Sequence, residues 1–149
     1  MPQRERSAGR RSSFSDSGIA ARLSGITVAA LENVPPAPQL GGLFEGLIAS
    51  ELLAQSAWSR ADVKLWHFRD RNGLEVDLVV ERADGAVLAI EVKSSSSYRG
   101  DQFTNLAKFA SLMPGRFVGG LVLGMAPSAY RYTDKLWGLP ASVLWTGFG

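Results

Sequence analysis

Residues 74–93 read LEVDLVVERADGAVLAIEVK, two apolar-rich runs joined through Ala83-Asp84-Gly85. Asp-Gly commonly marks a two-residue hairpin loop, which here would pair Ala83 with Ala86. That register sets Leu78 against Glu91 and Val80 against Ala89, mixing polar and apolar side chains on each face. A three-residue loop with Gly85 in the left-handed position pairs Arg82 with Ala86 instead. Val80 then meets Leu88, Leu78 meets Ile90, and Val76 meets Val92. One face becomes wholly aliphatic. The pattern selects this register, because a one-residue slip would turn every side chain to the wrong face.

On the other face this register sets Asp77 against Glu91 and Glu75 against Lys93. Opposed residues have β-carbons roughly 4.5–5.5 Å apart, where like charges repel. Two carboxylates at that spacing call for a cation between them or a shared proton. Lys93 supplies one positive charge. A hard divalent ion such as Mg²⁺, or Mn²⁺ in its place, takes one or two carboxylates with water and phosphate. Carboxylates that hold such an ion, with a lysine beside them, form a constellation for phosphodiester hydrolysis. The plain alternative is a solvated strand face carrying a Glu75–Lys93 ion pair.

Upstream, Leu43–Gln55 is expected to be helical, with Leu43, Phe44, Leu47, Ile48 and Leu52 on one stripe. Glu51 lies inside that stripe and Glu45 on its margin. A strand over Leu65–Asp70 leads through Asp70-Arg71-Asn72-Gly73, a strong turn signal, into the strand over Leu74–Arg82. Ala86–Lys93 is the third strand. Downstream, Asp101–Met113 reads as a helix with Asp101 as N-cap and Phe103, Leu106, Ala107 and Ala110 facing inward; Pro114-Gly115 ends it. Arg116–Met125 is a further strand, and Tyr130–Trp137 and Ser142–Trp145 are short edge strands. The order α-β-β-β-α-β describes an α/β or α+β domain built on a meander, over residues 41–149. Residues 1–40 comprise a disordered basic tail, a short helix within 15–34 and a linker marked by Pro35, Pro36 and Pro38.

The 149 residues, 46% of them hydrophobic, suffice for one domain with a sizeable core. The formal charge of +2 is unevenly placed. Residues 1–11 carry Arg4, Arg6, Arg10 and Arg11 against Glu5, and the remainder is slightly acidic. A general basic nucleic-acid surface is therefore not supported. The absence of cysteine excludes a disulfide scaffold and a thiolate zinc site, and fits a reducing cytoplasm. No apolar run approaches the ~18 residues of a membrane helix. His67, the single histidine, reads as a structural or surface residue. Trp58, Trp66, Trp137 and Trp145 read as core or interface side chains, Arg69, Arg71 and Arg99 as solvated groups, and Ser94–Ser97 as a polar loop.

Asp77 followed on the next strand by Glu91-Val92-Lys93 resembles the PD-(D/E)xK nuclease superfamily, whose restriction-endonuclease-like fold often adds a glutamate from the preceding helix. The resemblance implies Asp77, Glu91 and the Val92 carbonyl as metal ligands, Lys93 as the catalytic lysine and Glu45 as the helix-borne acid. Glu51 is the alternative on that helix, its plain role being a buried acid paired with a base such as Arg69. The strings GGLFEGLIASELL, WHFRDRNGLEVDLVVE, AIEVKSSSS, FVGGLVLG and LWGLPASVLW resemble domain of unknown function 4143. That domain forms the C-terminal part of many prokaryotic AAA-type ATPases, and SDSGIAARLSG resembles the segment just before it. No G-x-x-x-x-G-K-[ST] occurs, so the resemblance implies no ATP hydrolysis by this chain alone. Two functions follow as expectations: a Mg²⁺- or Mn²⁺-dependent nuclease acting on DNA, or a non-catalytic module or remnant that serves a separate ATPase subunit.

Overall fold

The computed structural model describes residues 38–146; the expected basic tail and the helix within 15–34 lie outside the described residues. The first helix, α1 (Pro38–Trp58), extends beyond the expected Leu43–Gln55 at both ends. Proline is tolerated in a first helical turn, where its missing N–H has no intrahelical partner to lose. The strands β1 (Val63–Arg69), β2 (Glu75–Arg82) and β3 (Val87–Val92) follow. A 3₁₀ turn (Gly100–Phe103) leads into α2 (Thr104–Leu112), and β4 (Phe117–Gly124), β5 (Tyr130–Arg131), β6 (Leu136–Pro140) and α3 (Val143–Thr146) complete the order.

The strands form one six-stranded mixed sheet in the order β1-β2-β3-β4-β6-β5. β1, β2 and β3 form an antiparallel meander, β3 pairs parallel with β4 and β4 with β6, and β5 closes antiparallel on β6. Asp70 builds the first turn by accepting the amides of Asn72 and Leu74 at 2.8 and 2.9 Å. The second hairpin has the expected three-residue loop. Arg82 donates its amide to the Ala86 carbonyl at 2.9 Å, and Gly85 takes φ +86°, a value that favours glycine. Leu78–Ile90 and Val80–Leu88 pair as expected.

Further along β2 the expected alternation fails. Trp66 pairs with Val79 and Phe68 with Val76, so three steps on β2 oppose two on β1. This bulge moves Val76 to the face that holds Val79, away from Leu78, Val80 and Val92. The wholly aliphatic face expected for Val76 and Val92 together is therefore not formed.

Helices cover both sheet faces. On one, Ile48 of α1, with Phe44 and Leu52, packs on Ile90, Val92, Leu123 and Leu139. On the other, Phe103, Leu106, Phe109 and Met113 pack on Val76, Val79, Ala89 and Val122. Each fully buried side chain of this size contributes about 1.5–3 kcal/mol. Ala107 is exposed rather than inward-facing, because the stripe at 106, 109, 110 and 113 buries the larger side chains. Asp101 is not the N-cap. Arg99 caps the 3₁₀ turn, its amide donating to Gln102 Oε1 at 3.0 Å, Phe103 flanks α2, and Asp101 pairs with the Arg99 side chain.

The C-terminal region also departs from expectation. Tyr130–Trp137 resolves into edge strand β5 and the start of β6, which lies inside the sheet. Val143–Thr146 is a helical turn rather than a strand, its amides returning to Ala141 and Ser142. Buried Glu81 accepts Trp66 Nε1 at 3.0 Å and Arg116 Nη2 at 2.9 Å, while Arg116 Nε reaches the Gly85 carbonyl at 2.8 Å. This network ties the hairpin to the start of β4.

Gly138 lets the Tyr98 ring lie against β6. A Cβ added there would sit 2.6 Å from Tyr98 Cγ and 2.7 and 2.8 Å from both Cδ atoms. Gly138→Ala is expected to cost about 2–3 kcal/mol through overpacking, read by urea unfolding. An unchanged midpoint would contradict this packing.

Candidate active site

The β2–β3 ladder ends at Leu78–Ile90. Beyond it the bulged end of β2 stays with β1 through Phe68–Val76 and Arg69–Glu75. Asp77 and Glu91 are thus not ladder partners, nor are Glu75 and Lys93, as simple alternation had suggested. Instead the Asp77 side chain takes up the ladder bond, its Oδ2 accepting the Val92 amide at 2.8 Å. The bulge re-aims Asp77 across the gap between the strands.

Glu91, on β3, is only 3% exposed. Lys93 Nζ lies 2.9 Å from its Oε2. Burial first, and then the Asp77 charge, push the Glu91 carboxyl up to about 7; Lys93 opposes this and Glu75 adds to it. Near neutral pH its charged and neutral forms are therefore close in free energy. Burial disfavours the charged Lys93, but the bond and charge of Glu91, followed by the charges of Asp77 and Glu45, hold its ammonium above the usual range. A charged lysine among acids is the result.

The structure thus brings Asp77, Glu91 and Lys93 together and sets Glu45 of α1 within electrostatic reach of Lys93. Glu51 is elsewhere: it accepts Gln55 Nε2 at 2.8 Å, and Gln55 also donates to the Leu144 carbonyl. No ion pair joins Glu51 to Arg69, which is exposed. The Ser94–Ser97 loop is held by its own bonds, Ser95 Oγ donating to the Ser97 carbonyl and accepting from Gln102.

His67 and Asn105 were not legible as parts of this region. His67 Nδ1 lies 3.2 Å from the Asp77 carbonyl, and its Nε2 lies 3.2 Å from Glu75 Oε1. A carbonyl only accepts, so this hydrogen bond is made by the form of His67 that carries a proton on Nδ1. Asn105 of α2 donates to the Glu75 carbonyl at 3.1 Å. The signals in the sequence were a lone histidine and an asparagine outside any motif; neither reveals a contact made through a bulge.

Among the described residues no group of three or more His, Cys, Asp or Glu side chains forms a metal cage. Two carboxylates from adjacent strands, one of them buried and destabilised by the other, suit a hard ion that completes its shell with water and phosphate. No helix among the described residues is long and apolar enough to cross a membrane.

A sheet covered by helices on both faces, with an acid–lysine cluster around buried Glu91 where two strands part, defines a mixed α/β domain with a polar site at one sheet end. The chain belongs to the family described as a domain of unknown function, DUF4143, whose profile matches residues 40–144. No curated protein and no solved structure was found to match.

Proposed function

We propose that the domain is a metal-dependent DNA phosphodiesterase of the PD-(D/E)xK nuclease-like type, related to the C-terminal domains of AAA-type ATPases. One observation carries this reading: Asp77, Glu91 and Lys93 cluster where β2 and β3 part, and Lys93 also feels Glu45 from α1. A solvated strand face would not bury Glu91 against a second acid.

In this reading Asp77, Glu91 and the Val92 carbonyl hold Mg²⁺ or Mn²⁺. The ion supplies Lewis acidity and an activated water when bound. Asp77 Oδ2 stays tied to the Val92 amide, which leaves Oδ1 to serve as the ligand. Glu91 must give up its proton to act as a ligand, and the Lys93 ammonium favours that loss. Lys93 then stabilises negative charge developing on the scissile phosphate, and Glu45 orients the lysine.

The test is cleavage of plasmid and branched DNA with Mg²⁺ or Mn²⁺, comparing the chain with Asp77→Asn. Asparagine retains an acceptor for Val92 but lacks the charge. Metal-dependent cleavage lost in the variant is expected; equal background nicking by both proteins would sink the reading.

A second reading, a non-catalytic interaction module serving an ATPase subunit, has its own support. Residues 38–146 carry eleven basic and eleven acidic side chains. Arg82, Arg99, Arg116 and Arg131 are each paired with an acid. Little net positive charge is left to hold a phosphate backbone. Trp58, 84% exposed at the end of α1, offers apolar surface instead.

A further inference from the structure

We propose that His67 and Asn105 are positioning residues for the acid pair, holding the bulged end of β2 away from β3 so that the Asp77 side chain bonds Val92. Three observations converge. The extra residue of β2 falls opposite His67, between the Trp66–Val79 and Phe68–Val76 pairs. A bulge interrupts the ladder and leaves local backbone groups in need of other partners. The Asp77 carbonyl finds one in His67 Nδ1, at 3.2 Å.

Two residues earlier, the Glu75 carbonyl is held from the opposite layer by Asn105 Nδ2, at 3.1 Å. β1 pairing supports the same segment through Val76 and Glu75. The end of β2 is therefore anchored on β1 and α2, while its link to β3 is the Asp77 carboxylate on the Val92 amide. Releasing either anchor lets the segment move and shifts that carboxylate relative to Glu91. Neither residue touches the reacting atoms; both act through Asp77. The service of this geometry to metal binding rests on the phosphodiesterase reading, whereas the positioning itself does not.

The experiment uses the full chain with ¹⁵N labelling. Amide hydrogen exchange is followed at Val92, with Val79 and Ala89 as references in the neighbouring ladder. His67→Phe removes the donor and keeps a ring; Asn105→Leu removes the other donor at similar size. Each is expected to speed Val92 exchange roughly tenfold, the scale of one lost supporting hydrogen bond, with the references unchanged. His67→Asn, which places an amide donor where Nδ1 stood, is expected to restore protection. Unchanged Val92 exchange overturns the proposal. So does a loss spread evenly over Val79, Ala89 and Val92, which marks a general stability role.

Titration with Mn²⁺ alone provides a second readout, expected to show about tenfold weaker binding in both donor-less variants. If the unaltered chain binds no Mn²⁺, the phosphodiesterase reading fails, and the Val92 readout still decides the positioning.

Discussion

If the domain is the proposed phosphodiesterase, Lys93→Ala is expected to lower metal-dependent cleavage by roughly 10²–10³-fold, the usual loss when one preorganised charge-stabilising donor is removed. The chain should still fold. Glu91, deprived of its partner at 2.9 Å, can take up a proton instead of remaining as a buried unpaired charge. Lys93 is the main group holding the Glu91 carboxyl down, so its removal raises that carboxyl further above about 7. Residual metal binding by the variant should therefore require a higher pH than in the unaltered chain, since the ligand must first lose its proton. Lys93→Arg should rescue poorly, because a planar fork does not replace a compact ammonium at a half-buried position. Cleavage by Lys93→Ala at the unaltered rate would remove the lysine from the mechanism.

Glu91→Gln is expected to make the metal-free protein more stable at alkaline pH while abolishing cleavage. Burial and Asp77 raise the Glu91 carboxyl from an ordinary value of 4.5 to about 7 in the folded chain. Between those values the folded state binds a proton that the unfolded state has lost, so stability falls as pH rises through the window and levels off above it. The shift corresponds to about 3 kcal/mol between pH 4 and pH 8. Glutamine does not titrate and escapes this loss. The unfolding free energy of Glu91→Gln, followed in urea with EDTA present, should therefore gain about 3 kcal/mol on the unaltered chain across that range. Parallel pH profiles would show that Glu91 is not under this strain.

Much of the fold was legible because its signals are local. The aliphatic pairs Leu78–Ile90 and Val80–Leu88, with Gly85 at a left-handed turn position, determine the second hairpin. Asp70 and Gly73 mark the first turn for the same kind of reason. The helix boundaries were less legible. Pro38 fits a first helical turn as well as it fits a linker, and only packing of Phe44 and Ile48 on β3 and β4 decides between them. The strand expected over Ser142–Trp145 failed because four mixed residues carry no clear period, and the chain there turns helical on the Ala141 and Ser142 carbonyls.

The site divides along the same line. The sequence by itself determined which residue types are available: an acid on β2, acid-x-lysine on β3, and two candidate glutamates on the preceding helix. Only the tertiary structure sets Glu45 within electrostatic reach of Lys93 and bonds Glu51 to Gln55, because that depends on how α1 rolls against the sheet. It alone decided that Asp77 meets the Val92 amide through its side chain. Strict alternation along β2 predicts a direct cross-strand partner; one extra residue opposite His67 breaks that alternation. A bulge leaves almost no trace in composition or period, since its cost is met by contacts from His67 and Asn105, far apart in the chain.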